Sequence, residues 1–142
     1  MTTHILALGG GGFSMSNRGE PTALDRHILD LSGKSSPLVC FAPTAAADDP
    51  VYVNRFLAAY SALGVRNMVL TLWQGAAESV ERLSQADIVV SGGGSAANLM
   101  ALWKTHGVDH VIRRMIAADS DVVLAGVSAR AECWFSGCLT DA

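Results

Sequence analysis

The sequence predicts an α/β fold, a three-layer sandwich built on a mostly parallel sheet. Short apolar segments alternate along the chain with amphipathic segments of helical spacing. The apolar segments are almost continuously hydrophobic, as expected of strands whose two faces are both covered by helices. Strands separated by helices pair in parallel through right-handed crossovers. Together these observations predict one sheet with helices on both sides.

Each predicted strand is a short apolar run that ends in a loop signal. In chain order the runs are HILAL, PLVCFAP, RNMVLTLW, DIVVS and DVVLAG. Five helical segments lie between them: TALDRHILDLSG, DPVYVNRFLAAYSALG, AAESVERLSQA, AANLMALWKTHG and VDHVIRRMIAA. An N-cap and a proline mark the start of one helix and glycines mark the ends of three: Asp49, Pro50, Gly33, Gly64 and Gly107.

Length and composition favour a single domain over residues 1–142, which we expect to be incomplete at its C-terminus because a sheet of this type normally continues. The chain is 50% hydrophobic and 16% charged, which is typical of a globular protein. Its net charge of −3 and its lack of a basic run argue against nucleic acid as a partner. It has no apolar run of about 18 residues that could span a membrane.

The location and cofactor predictions rest on weaker signals. The N-terminus lacks the layout of a signal peptide. Three cysteines form no pairing pattern and no metal-ligand spacing, so free thiols in the cytoplasm are the simplest interpretation. We therefore expect a cytoplasmic protein with no metal and no cofactor.

Three loops are expected at the carboxyl ends of the strands, where open parallel sheets bind their ligands. They are residues 9–14, 92–95 and 126–129. The first loop reads GGGGFS, but Ser14 stands where a dinucleotide motif would have its third glycine. A loop that covers the site is the favoured interpretation there.

Ser128 stands in the segment AGVSARAECWF, directly after the last apolar run. A serine at a strand–turn–helix junction exposes its Oγ above the sheet, and the N–H of Ala129 can then help to form an oxyanion hole. The same pattern also fits a serine that only caps a helix. Both interpretations stay open on the local sequence.

Gly92, Gly93 and Gly94 follow the fourth strand. Their N–H groups can approach an oxyanion, a carboxylate or a phosphate without a side chain in the way. A tight turn would need one or two glycines, so three favour the close approach of another group.

No base for Ser128 is evident in the sequence. Four histidines lie outside the carboxyl-edge loops: His4, His27, His106 and His110. A serine nucleophile usually needs such a base. Asp141 could orient one, or it could be a solvated turn residue.

Four blocks of the sequence resemble the peptidase E family of serine peptidases, and in particular its actinobacterial-type branch. The blocks are HILALGGGGFSM, VCFAPTAAAD, DIVVSGGGSAANLMALWKTHGVD and VVLAGVSARAECWF…TD, and they match in register over the whole chain. The resemblance implies a fold similar to class I glutamine amidotransferases, which is flavodoxin-like. It also implies a cytoplasmic serine peptidase. Dipeptidase E, a member of that family, acts on dipeptides that begin with aspartate.

The resemblance also implies roles for individual residues. It places the nucleophile on Ser128 and the acid of the triad on Asp141. It places the oxyanion hole on the Ala129 amide and on the loop that contains Gly92, with Gly93 or Gly94 as the donor from that loop.

Two departures from the family pattern matter. The family turn reads Gly-x-Ser-Ala-Gly, and here Arg130 replaces the last glycine. Arg130 either binds a substrate carboxylate or impairs the turn. The resemblance implies a histidine downstream of the acid, which we expect to lie beyond these 142 residues. We expect later strands of the sheet to lie there too, which would leave one side of the sheet uncovered unless a partner chain, such as a second copy, shields it.

We therefore predict a serine peptidase that hydrolyses small peptides by acyl transfer through Ser128. One alternative is an impaired or inactive remnant that at most binds small carboxylates. Another is a small-molecule binding module that holds phosphate on the two glycine loops. That alternative predicts nucleotide binding that a Ser128→Ala variant retains.

Overall fold

The computed structural model describes residues 2–118 and 121–136, and these residues form a five-stranded sheet with five α-helices. The strands are β1 Thr3–Leu8, β2 Leu38–Ala42, β3 Arg66–Val69, β4 Ile88–Ser91 and β5 Val122–Val127. The helices are α1 Ala23–Leu31, α2 Pro50–Ala62, α3 Ala76–Leu83, α4 Ala96–His106 and α5 Val108–Ala117. Every strand and helix that the sequence predicts is present.

The sheet order is β1-β5-β4-β2-β3, and all four strand pairs are parallel. At the carboxyl ends, Leu8 of β1 pairs with Val127 of β5, and Ser91 of β4 pairs with Gly126 of β5. Ala42 of β2 pairs with Ser91 from the other side. The loops that follow these four strands therefore leave the sheet at one edge. The α/β fold with a parallel sheet is confirmed.

Helices cover both faces of the sheet, because side chains alternate along each strand. Phe41 faces the core beside α1 and α2, whereas its neighbour Cys40 faces the core beside α3, α4 and α5. β1 lies at one end of the sheet order, and Ile5 near its middle is 47% exposed. One edge of the sheet therefore leaves apolar surface open.

The helix ends follow the local chemistry that the sequence indicates. The carboxylate of Asp49 accepts the N–H of Val51 at 3.3 Å and caps α2. Gly33, Gly64 and Gly107 close α1, α2 and α4 with φ of 66°, 72° and 73°, a left-handed conformation that glycine adopts without strain.

The segment after β5 is a 3₁₀ helix, Ser128–Trp134, and two shorter 3₁₀ turns follow β1 and β2 at Phe13–Met15 and Thr44–Ala46. Among the described residues, Cys40 forms no disulfide bond. Within the described ranges, no cluster of three or more potential metal-ligating side chains occurs. In that same part of the chain, no helix has the length and apolar character needed to cross a bilayer.

Candidate functional site

Ser128 occupies a strained turn at the end of β5. Its φ is +59°, a left-handed value for a residue that is not glycine, and the preceding Val127 is extended with φ −110° and ψ 136°. The chain therefore changes direction sharply at Ser128, and the side chain is exposed. Such a conformation costs about 1–3 kcal/mol and persists where the surrounding structure holds it. Here the six buried residues of β5 hold it.

The hydroxyl of Ser128 has no hydrogen-bond partner among the residues that the structure describes. Ser128 is the first residue of the 3₁₀ helix, and the residue at the N-cap position is Val127. Ser95 provides a contrast, because its Oγ accepts the N–H of Asn98 at 3.2 Å and caps α4. Among the described residues, the Ser128 hydroxyl therefore differs from that of Ser95 in making no such bond.

The loop after β4 uses most of its N–H groups internally. Gly92 donates to the carbonyl of Ala42 at 3.0 Å, and Ser95 donates to the carbonyl of Ala45 at 2.8 Å. The N–H of Gly93 donates to the hydroxyl of Tyr52 at 3.0 Å. Gly94 alone among the three glycines has an N–H without a partner in the described part of the chain.

Packing explains two of the three glycines. A Cβ on Gly94, whose φ is +141°, would lie 2.1 Å from the carbonyl oxygen of Ala45. A Cβ on Gly92 would lie 2.9 Å from the ring of Phe41. A Cβ on Gly93 would meet only the Tyr52 hydroxyl, at 4.0 Å. The groups that come close to Gly92 and Gly94 are thus the Phe41 ring and the Ala45 backbone of this protein.

The strand register brings Ser128 and the glycine loops to one edge. β5 lies between β1 and β4, so residues 9–12 leave the sheet on one side of Ser128 and residues 92–94 leave it on the other. Ala129 is the second residue of the 3₁₀ helix, where the helix itself provides no acceptor for an N–H. Ser128 therefore lies at the same edge of the sheet as the two glycine loops.

The described histidines do not reach this edge. His4 lies near the start of β1, at the opposite end of the strand from residue 9. His27 lies within α1, His106 is the last residue of α4, and His110 lies in α5. Asp141 and the side chain of Arg130 lie outside the described residues.

Three buried titratable groups near the sheet are structural: Asp25, Tyr60 and Cys40. The Asp25 carboxylate accepts the Tyr60 hydroxyl at 2.9 Å and the N–H of Thr22 at 2.8 Å, which ties α1 to α2. Burial and the adjacent Asp25 charge raise the pKa of Tyr60, so its phenol stays protonated. Burial raises the pKa of the Cys40 thiol to about 12, so Cys40 is not a nucleophile. The sequence analysis missed the Asp25–Tyr60 pair.

Cavities lie at both ends of the strands. One of about 250 Å³ lies at the start of α2 and is lined by Ser14, Tyr52 and Arg55, close to the glycine loops. Another cavity, of about 580 Å³, lies between α3 and α5. Its lining includes Ala86, which precedes β4 and so marks the end of the sheet opposite to the glycine loops. The larger cavity therefore lies away from Ser128.

Sequence comparison identifies the family. The sequence model of peptidase family S51 matches residues 5–142. The chain belongs to peptidase family S51. It is 40% identical over 138 residues to the uncharacterized peptidase YgaJ of Bacillus subtilis (strain 168), a match that covers 96% of this chain and 58% of the relative. The predicted resemblance is confirmed.

Solved structures support the S51 assignment. The crystal structure of a candidate peptidase E protein from Listeria monocytogenes EGD-e matches with a TM-score of 0.58 and 25% identity, over 74% of this chain and 53% of that chain. A peptidase from an acI-B1 actinobacterium matches with a TM-score of 0.65 over 87% of this chain and 53% of that chain. At 18% identity this second match shows the fold alone. The chain spans little more than half the length of these family S51 relatives.

Proposed function

We propose that this chain carries the nucleophile of a serine peptidase, and that Ser128 is that nucleophile. The observation that carries the proposal is the left-handed φ of +59° at Ser128, at the carboxyl end of a fully buried strand. A nucleophile elbow has this form, because the sharp turn lifts the hydroxyl clear of the sheet. Membership of peptidase family S51 supports the same chemistry.

The proposed reaction is acyl transfer. Ser128 Oγ attacks the peptide carbonyl, a C–O bond forms, and the carbonyl π electrons move to oxygen. Collapse of this intermediate breaks the C–N bond, and the amine leaves with the proton that Oγ has lost. Water then attacks the ester, releases the acid and returns a proton to Oγ. A base must carry these protons. Because the four histidines of the sequence lie away from this edge, we assign that role to an imidazole supplied from outside these 142 residues and oriented by Asp141.

The N–H groups of Gly94 and Ala129 are the proposed oxyanion donors. Gly94 is supported because its N–H is unused, whereas those of Gly92 and Gly93 are engaged. Removing one such donor typically lowers the rate by about 10²–10³. Arg130 is the proposed contact for a substrate carboxylate, which suits a small peptide with a free C-terminus. A cytoplasmic location is supported by Cys40, a buried cysteine that forms no disulfide bond among the described residues.

One observation favours a second candidate, a non-catalytic member of the family that binds small carboxylates. None of the histidines in residues 2–118 lies at the carboxyl edge, and Arg130 replaces the glycine of the family turn. The phosphate-binding alternative has less support, since only one N–H of the second glycine loop is available.

A fluorophosphonate probe tests the proposal. Oγ of an activated serine bonds to phosphorus, the P–F bond breaks and fluoride leaves, so intact mass shows the adduct. We expect labelling of the wild-type chain, no labelling of Ser128→Ala, and unchanged labelling of Ser14→Ala, which removes a hydroxyl from the first glycine loop. A folded wild-type chain that stays unlabelled would favour the carboxylate-binding candidate instead.

A further inference from the structure

Tyr52 lies beside the glycine loop that faces Ser128. We propose that it is a positioning residue, whose hydroxyl fixes the peptide unit between Gly93 and Gly94 so that the Gly94 N–H faces the reaction centre. This inference rests on the proposed role of Ser128 as nucleophile. It adds a residue that lies 41 positions from Gly93 in sequence.

The hydrogen bond at Gly93 is the first step of the argument. Three consecutive glycines have more backbone freedom than any other tripeptide, so the loop needs external contacts to adopt one conformation. Backbone carbonyls hold its two ends, at Gly92 and Ser95. Within the described residues, the Tyr52 hydroxyl provides the hydrogen bond that holds its middle, at 3.0 Å from the Gly93 nitrogen.

The Tyr52 ring is itself immobilised, which is the second step. It packs edge-on against Phe41, with ring centroids 4.9 Å apart and planes at 68°. Phe13 lies 5.9 Å away on the first glycine loop. A Cβ added to Gly92 would lie 3.0 Å from Cε2 of Tyr52, so the ring fills the space beneath the loop. The hydroxyl therefore cannot move away from Gly93 without disturbing this aromatic cluster.

The third step concerns which donor remains for a ligand. Because the Gly93 N–H donates to the Tyr52 hydroxyl, it is already engaged and is not the donor left for a ligand. The next N–H along the chain, that of Gly94, has no partner in the described part of the chain. Holding Gly93 on Tyr52 thus determines the orientation of the adjoining peptide and leaves Gly94 as the available donor.

The two tyrosines of the chain provide a matched pair of variants. Tyr52→Phe removes the hydroxyl bound to Gly93 and keeps the ring. Tyr60→Phe removes the buried hydroxyl bound to Asp25 in the same aromatic cluster. Because the Asp25 bond is fully buried, we expect Tyr60→Phe to lose at least as much stability as Tyr52→Phe.

The experiment measures fluorophosphonate labelling of Ser128 in the full chain, below the melting temperature of every variant. For Tyr52→Phe we expect a fall of about tenfold or more in the maximal labelling rate constant, with the half-saturating probe concentration unchanged. For Tyr60→Phe we expect both values within twofold of wild type. If Tyr52 had a purely structural role, its loss would not lower the maximal labelling rate constant while leaving the half-saturating probe concentration unchanged.

The outcomes are distinct. Wild-type labelling that persists unchanged in Tyr52→Phe would overturn the role of Tyr52 and leave that of Ser128 intact. An equal fall in both tyrosine variants would show a stability effect and would also overturn it. A folded wild-type chain that is never labelled would overturn the role of Ser128 and, with it, that of Tyr52.

Discussion

Replacing Gly94 with alanine should destabilise the protein far more than the same change at Gly93. The two glycines are adjacent in one loop, but only Gly94 has a φ in the positive range, at +141°. Its added Cβ would lie 2.1 Å from the carbonyl oxygen of Ala45 and 2.7 Å from the backbone nitrogen of Ala46. Both atoms belong to the backbone of the turn after β2, so neither can move as a side chain would.

The magnitude follows from three contributions. The backbone conformation costs a non-glycine residue about 1–3 kcal/mol. Ordinary contact requires at least 3.4 Å, so the turn at Ala45 must move by more than 1 Å, and such overpacking costs about 1–3 kcal/mol. That movement breaks the 2.8 Å bond from the Ser95 N–H to Ala45, worth about 1 kcal/mol. The sum is about 3–7 kcal/mol, a large part of a typical total of about 5–15 kcal/mol.

Urea unfolding followed by circular dichroism measures the difference. Gly93→Ala is the matched control, since its Cβ would meet only the Tyr52 hydroxyl at 4.0 Å. We expect its free energy of unfolding to stay within about 1 kcal/mol of wild type. If Gly94→Ala were equally mild, the loop would not be packed against the turn after β2, and the argument that selects Gly94 as the free donor would fail.

Three further predictions concern stability. In urea unfolding, Ser128→Gly should have a free energy of unfolding about 1–2 kcal/mol higher than Ser128→Ala, because glycine adopts the left-handed conformation without strain. Equal free energies would mean that the strain is absent. Cys40 keeps its proton in the folded chain to a pKa of about 12, against 9.0 when exposed. The free energy of unfolding should therefore fall between pH 9 and pH 12, and Cys40 contributes at most about 1.4 kcal/mol per pH unit to that fall. In Cys40→Ala the free energy should fall less steeply with pH. Identical slopes in the two proteins would contradict the burial effect. Asp48→Ala should lower the free energy of unfolding, measured by thermal unfolding, by about 1–3 kcal/mol. The reason is that the Asp48 carboxylate accepts the N–H groups of Leu72 at 2.8 Å and Trp73 at 3.2 Å. An unchanged melting temperature would show that these hydrogen bonds are dispensable.

The sequence predicts the elements of this fold well, because each strand has a local signature. PLVCFAP, for instance, is an apolar run between two prolines, and β2 occupies Leu38–Ala42 within it. The position of Ser128 is predictable for a similar reason, since a serine directly after an apolar run and before a helical segment has few alternatives. Both features depend only on residues that are adjacent in sequence, so they can be read from one sequence alone.

The choice between Gly93 and Gly94 could not be made from the sequence. It depends on Tyr52 and on Ala45, which are both more than 40 residues from the glycine loop. Nothing in the segment DPVYVNRF distinguishes Tyr52 from an ordinary helix residue. The Asp25–Tyr60 pair was missed for the same reason, because its partners are 35 residues apart. Long-range contacts of this kind need the folded chain.

The distribution of left-handed residues argues for a ligand at Ser128. The turns that close α1, α2 and α4 use glycine for this conformation, without strain. In the described part of the chain, the left-handed residues that are not glycine are Ala47, Asp48 and Ser128, all after the carboxyl ends of strands. Nothing in the structure explains Ala47.

At Asp48 and Ser128, glycine would adopt the left-handed conformation without strain. The side chains at these two positions are therefore kept at a cost in backbone strain. For Asp48 the reason is visible, because its carboxylate holds two N–H groups of the loop after β3. For Ser128 the described protein offers the hydroxyl no partner at all. A strained backbone at a serine whose hydroxyl has no hydrogen-bond partner among the described residues supports the proposal that Ser128 acts on a peptide carbonyl.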